Sequence, residues 1–259
     1  MKQVAPLRYD VIFKKAFCDP AIFTAFVQAV ANVTIQIDKV ETEKSFKPPI
    51  GRVASRFDLF AEDVKNRVIV DIQHVRYPDH YAAFLHYHCA AILEQVAKAE
   101  NYRPNLAVYS IVVLTSGDKH GVDVATIDFD PKTRMNKGLG EIPHKVFYLC
   151  PKYANAETPP ALREWLRAID DTLDEQVEER DYQHPQIRRI FDLIVQDAIS
   201  PEERARMFEE YNREQLKQDE LEQQKRTIAS SLLAQGIDVT VIAMATGLSA
   251  EEIAALTRV

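Results

Sequence analysis

Apolar residues in the first part of the chain recur in two rhythms, one of period about 3.6 and one of period 2, which separate helices from strands. From Asp10 to Val30 the apolar set Phe13, Phe17, Phe23, Phe26, Val27 and Val30 has helical spacing, interrupted at Asp19-Pro20, where proline forces a break or kink. Ile35 to Phe46 predicts a first strand carrying Glu41 and Glu43 on one face, followed by a turn at Pro48-Pro49-Ile50-Gly51. Arg56 to Glu62 alternates, with Phe57, Leu59 and Ala61 on one face and Arg56, Asp58 and Glu62 on the other. Val68 to Gln73 is β-branched and apolar apart from Asp71 and Gln73, which share a face. Asp63-Val64-Lys65-Asn66 is the turn that joins these two strands.

A helix is expected from about Asp79 to Asn101, with a buried stripe of Ala82, Leu85, Cys89, Ile92, Leu93 and Val96. Tyr109 to Thr115 reads as a buried strand and Ser116 to Gly121 as a polar turn; Val122 to Phe129 and Lys145 to Cys150 complete a sheet. This order predicts an α/β core in which helices flank a mixed sheet. Beyond Pro151 the pattern is helical. Leu162, Trp165, Leu166, Ile169 and Leu173 mark one helix, and Ile187, Ile190, Phe191 and Ile194 a second. Ser200-Pro201-Glu202-Glu203 is a capping box that opens a charged third helix running through Lys225. The last segment reads as a helix over Val239–Thr246, a turn at Gly247, and a helix capped by Ser249 to Glu252. The implied divisions are a core over 1–153, a helical connector over 154–226 and a helix-turn-helix-like hairpin over 227–259.

The hairpin centred on residues 63–66 carries the chemistry. Its register sets position 58 across from position 71, with Cβ atoms about 4.5–5.5 Å apart. Two opposed carboxylates repel unless a positive charge intervenes, and a divalent cation is the usual remedy. The same residues also fit an edge hairpin with a solvated acidic face. Asp71 favours the first reading, because it interrupts the buried run Val-Ile-Val-Asp-Ile, where an unpaired charge is costly.

Composition narrows the classes. The net charge of −7 is uneven. Residues 1–153 hold 20 Lys+Arg against 17 Asp+Glu, whereas residues 154–259 hold 12 against 22. The candidate catalytic half is therefore mildly basic, which is compatible with a phosphate-backbone partner. Cys18, Cys89 and Cys150 are odd in number and widely spaced, which argues against a disulfide framework or structural zinc. The four histidines His74, His80, His86 and His88 do not have zinc-ligand spacing on a helix. The start of the chain has no apolar leader segment, and no run reaches the roughly 18 apolar residues that span a bilayer. A cytoplasmic protein with no membrane partner is the expectation.

An Asp on one strand, (D/E)-x-(K/Q) on the next and then a helix resembles the active-site layout of the PD-(D/E)XK nuclease superfamily. The closer likeness is to its transposase-like branch, the recombination-promoting nuclease family. The likeness is carried by Tyr9-Asp10-Val11-Ile12-Phe13-Lys14-Lys15-Ala16-Phe17, by Asp58, by Asp71-Ile72-Gln73, and by Gly-Leu-Ser-Ala-Glu-Glu-Ile at Gly247 to Ile253. The resemblance implies a restriction-endonuclease-like core with an all-helical C-terminal region, and metal-dependent cleavage of DNA associated with recombination or transposition. Asp58, Asp71 and the Ile72 carbonyl would hold Mg²⁺, with Mn²⁺ or Ca²⁺ as alternatives, and Gln73 would stand at the catalytic lysine position. Asp10 and Glu43 are additional candidates near the metal, and Lys14, His74 and Tyr81 are candidates for contact with substrate. A second reading stays open, a catalytically inactive nuclease fold acting as a DNA-binding or assembly module: the tail is acidic, and the helix after Gln73 lacks an arginine where relatives often carry one, near Phe84 and Leu85. The C-terminal hairpin presents Glu251 and Glu252, which disfavour phosphate contact, so packing or homo-oligomerisation through the C-terminal helices is expected of it.

Overall fold

The computed structural model describes residues 1–46, 55–75, 80–96 and 104–256. The expected turn at Pro48 to Gly51 and the residues Asp79 and Asn101, between which a helix was expected, lie outside the described residues. The chain divides into two compact units, Met1–Met207 and Phe208–Val259.

In the first unit a short strand β1 (Lys2–Gln3) precedes helices α1 (Asp10–Phe17) and α2 (Pro20–Ala31). The helical run breaks where the proline predicts. Asp19 caps α2 by accepting the backbone N–H groups of Ala21 and Ile22. Strands β2 (Glu41–Phe46), β3 (Ser55–Glu62) and β4 (Asn66–Gln73) follow. The first strand expected from Ile35 forms only from Glu41; upstream of it, the Gln36 N–H is bonded to Asp63 Oδ2 instead of to a neighbouring strand. Helix α3 (His80–Val96) then crosses to β5 (Ala107–Leu114), β6 (Val124–Asp128) and β7 (Lys145–Leu149). The six strands order as β2-β3-β4-β5-β7-β6; β4, β5 and β7 run parallel, and the remaining pairings are antiparallel. The predicted α/β layout, a mixed sheet flanked by helices, is the one observed.

After β7 the unit continues with α4 (Pro160–Asp171), β8 (Gln176–Val177), which pairs with β1, and α5 (Pro185–Leu193). The proline-headed helices α4 and α5 bring Trp165, Leu166, Ile190 and Phe191 into one core with Phe13, Phe17, Phe23 and Phe26 of α1 and α2. That core lies against Leu59, Ala61, Val68, Val70, Ile111 and Val113 of the sheet. The intervening positions of the strands supply two smaller clusters, Phe57, Phe60 and Ile69 with Ala91 of α3, and Val112, Leu114, Val146 and Tyr148 with Tyr81 and Phe84. Strands buried on both faces explain the near-continuous apolar reading of β4 and β5.

Two expectations about which side chains share a face are corrected. Phe57 does not share a face with Leu59 and Ala61: it packs with Phe60. The alternation fails at Asp58, whose expected partner Glu43 has φ 57° and drops out of the β2–β3 ladder. The stripe assigned to α3 is also rotated. Ala82 and Leu93 are exposed, while His88, Ala91 and Gln95 are buried. The polar groups on that inner face find partners in and just before β5: His88 Nδ1 is hydrogen-bonded to Ser110 Oγ at 2.9 Å, with Nε2 buried and unpaired among the described residues, and Gln95 Oε1 accepts the Leu106 N–H at 2.9 Å.

Helix α6 (Pro201–Ala234) begins in the first unit and continues into the second, nine residues beyond Lys225. In the second unit α7 (Val239–Thr246) and α8 (Ala250–Leu256) are bent by 108° about Gly247, which has φ 73°. Ser249 and Glu252 form the expected capping box, and Ala229, Ile242, Leu248 and Ile253 make a small core. Among the described residues no single helix is long and apolar enough to cross a membrane.

Candidate active site

Pairing of β3 with β4 runs from Glu62 with Arg67 to Leu59 with Val70, so the next rung is Asp58 with Asp71, the register set by the turn at Asp63–Asn66. At that rung side chains take over from the ladder. The Asp58 N–H donates to Asp71 Oδ1 at 2.9 Å, and the Ile72 N–H donates to Asp58 Oδ2 at 3.0 Å. Each carboxylate is thus held by the backbone of the opposite strand. Asp71 is 4% exposed.

The two charges are poorly tolerated in this position. Burial, followed by the negative charge of Asp10, pushes Asp58 up to about 6 despite the Ile72 hydrogen bond and Lys14. Burial and then Asp58 itself raise Asp71 well above the usual carboxylate range. The protonated form of Asp71 relieves that repulsion, and so would a bound cation.

Helix α1 brings further groups to the pair. Lys14 Nζ lies 2.7 Å from Asp10 Oδ2 and 3.5 Å from Asp58 Oδ1, and it also donates to Glu43 Oε1. Burial opposes the lysine charge, but the hydrogen bonds to Asp10 and Glu43 outweigh it and raise the Lys14 pKa. Glu43 accepts from Arg56 as well as from Lys14, and these contacts overcome its burial to lower its pKa. Glu41 bonds Lys44 at 3.0 Å and does not join the group, because the positive φ at Glu43 breaks the shared face expected of the two glutamates.

Gln73 sits at the end of β4 beside Leu114, and its backbone carbonyl accepts the Thr115 N–H at 3.0 Å. Its side-chain Oε1 is buried with no hydrogen-bond partner among the described residues. His74 Nδ1 is hydrogen-bonded to Thr115 Oγ1 at 2.8 Å; burial, and then the nearby charge of Arg8, lowers its pKa to about 4, so it is neutral at pH 7. Tyr81 donates to Asp118, and its backbone carbonyl accepts the Tyr148 hydroxyl at 3.2 Å. Asp10, Lys14, Glu43, Asp58 and Asp71 therefore form one electrostatic group. His74 and Tyr81 have their hydrogen bonds elsewhere, to the segment that follows β5. Arg8 and Asp118 were not singled out from the sequence. Arg8 immediately precedes the Tyr9–Phe17 motif, and Asp118 lies within a turn that reads simply as polar.

The donor chemistry fits a hard divalent ion. Asp58 and Asp71 offer only oxygen, and the buried Gln73 Oε1 is an acceptor without a donor. Among the described residues no group of three or more His, Cys, Asp or Glu side chains is arranged to hold a metal; Lys14 stands among Asp10, Glu43 and Asp58. Two carboxylates meet the requirement of Mg²⁺, which keeps several waters and takes the remainder of its shell from substrate phosphate.

Residues 222–258 match the Rpn/YhgA-like nuclease family, C-terminal HTH domain. The match supports the resemblance to the recombination-promoting nuclease family, and the domain it names supports a DNA partner. The helix-turn-helix-like hairpin expected over 227–259 falls within this match up to residue 258. No curated protein and no solved structure matches the chain.

Proposed function

We propose that the chain is a metal-dependent DNA endonuclease that hydrolyses phosphodiester bonds and is associated with recombination or transposition. The observation that carries this reading is the Asp58–Asp71 rung, two carboxylates fixed by reciprocal backbone hydrogen bonds and raised in pKa by burial, with Asp10 acting next on Asp58 and Asp58 on Asp71. Asp58 and Asp71, with the Ile72 carbonyl, would hold Mg²⁺ or Mn²⁺. When bound, such an ion supplies Lewis-acid stabilisation of phosphate charge and lowers the pKa of a water. The remaining tasks fall to the protein. Burial and the Asp58 charge raise the Asp71 pKa, so protons would compete with an ion for this carboxylate and metal affinity should rise with pH. The Gln73 amide can accept from a water through Oε1 and donate to a phosphate oxygen through Nε2, although it brings no positive charge. The helix-turn-helix segment would retain the duplex.

Incubation of supercoiled plasmid with purified protein and Mg²⁺ or Mn²⁺ should give nicked and linear products, and Asp71→Ala should reduce the rate by at least about 100-fold. Equal cleavage by the two proteins would refute the reading. One observation favours a second, an inactive nuclease fold that binds DNA: Lys14 already partners three carboxylates. Retention of DNA without cleavage under any divalent ion would select it.

A further inference from the structure

Lys14 is not an ordinary helix-surface lysine. An exposed i,i+4 pair with Asp10 would leave the ammonium in water. Here the Lys14 side chain is only 12% exposed, and it meets carboxylates from α1, β2 and β3. Glu43 reaches it from a left-handed backbone conformation, which is uncommon for a residue other than glycine. Lys15, its neighbour in sequence, faces elsewhere, bonding Glu203 and the Ala198 carbonyl. Asp10, Glu43, Asp58 and Asp71 are set against Lys14 and Arg56, so carboxyl groups outnumber cationic side chains four to two.

We propose that Lys14 is an exchangeable cation: in the ion-free protein its ammonium neutralises Asp58 together with Asp10 and Glu43, and a divalent ion arriving on Asp58 and Asp71 displaces it toward the substrate phosphate, where it supplies the charge that Gln73 lacks. Position 73 offers only a neutral amide, and helix α1 delivers a lysine to the same carboxylates from another element. The inference rests on the nuclease reading for its second half only. Competition between lysine and metal for Asp58 holds whether or not DNA is cut.

Full-length wild type, Lys14→Met and Lys14→Arg should be compared by Mn²⁺ titration calorimetry and by cleavage at saturating Mn²⁺, with thermal melts to establish folding. Removing a competing charge a few ångströms from the ion should tighten Mn²⁺ binding by about tenfold or more in Lys14→Met. Cleavage at saturating Mn²⁺ should fall by about 10²–10³-fold in the same variant. Lys14→Arg should recover part of the cleavage and part of the weaker binding. Unchanged or weaker Mn²⁺ binding by folded Lys14→Met overturns the exchange, and wild-type cleavage by that variant overturns the phosphate role. A wild-type protein that binds Mn²⁺ without cutting refutes the nuclease reading and the phosphate role together, while the affinity difference still decides the exchange.

Discussion

Replacing Asp58 by asparagine should stabilise the metal-free protein at neutral pH while abolishing cleavage. Asparagine has the same shape, and its Oδ1 can accept the Ile72 N–H that Asp58 Oδ2 accepts now. What it removes is a charge that the fold disfavours. The rise of Asp58 from 3.8 to about 6 corresponds to about 3 kcal/mol against the ionised form. The side chain is a quarter exposed and Lys14 would lose a partner, so the expected gain is about 1–2 kcal/mol, or a Tm higher by about 3–6 °C. The sign follows from linkage. A carboxyl whose folded-state pKa is raised contributes its full stabilisation below the unfolded value of 3.8 and loses it as pH climbs through about 6. The Tm difference between variant and wild type should therefore be small near pH 4 and grow to a plateau above pH 7. The assay is differential scanning calorimetry in EDTA across that range, repeated with Mg²⁺, which should raise the Tm of wild type but not of the variant. A variant less stable than wild type at pH 8, or a difference independent of pH, would refute the electrostatic reasoning.

Three further outcomes follow from other parts of the molecule. Gly117→Ala should cost about 1–3 kcal/mol in urea denaturation, because Gly117 has φ 70° and an added Cβ would lie 2.6 Å from the Tyr153 ring; an unchanged midpoint would contradict the tight turn beside Asp118. Glu203 closes the Ser200 capping box and pairs with Lys15 at 2.9 Å, so Glu203→Ala should destabilise by about 1–2 kcal/mol at pH 7. Burial opposes its ionisation, but Lys15 and Ser200 lower its pKa overall; the loss should therefore fade as pH falls below the ordinary glutamate range, and a pH-independent loss would point to packing instead. Removing residues 222–259 should weaken retention of DNA in a gel-shift assay by about tenfold or more, with a smaller dependence on salt than the full chain; equal retention would remove the C-terminal helices from DNA binding.

Much of the architecture was legible because its cues are local. Pro20, Pro160, Pro185 and Pro201 head helices where proline is favoured, and Asp63 to Asn66 fixes the hairpin register that sets Asp58 against Asp71. The strand pair β1 and β8 was not legible, since two residues at each end carry no periodicity. The orientation of α3 was misread for a physical reason. Its inner face contains His88 and Gln95, which count as polar in any pattern but are bonded to Ser110 and Leu106, whereas apolar Leu93 faces solvent. At the candidate site the aspartates were apparent from their place in an apolar run. Glu43 and Lys14 were candidates beside them through the family resemblance; the ion pair that joins the two was not apparent, because it depends on one left-handed residue and on how α1 lies against the sheet.

The central claim is that Asp58 and Asp71 together accept a divalent cation. Crystals grown with Mn²⁺ and measured at an energy above its absorption edge test it directly. The account predicts an anomalous peak coordinated by one oxygen from each aspartate, with the Lys14 ammonium withdrawn from Asp58. Saturating Mn²⁺ with no peak there, and Lys14 still lodged among Asp10, Glu43 and Asp58, would contradict it.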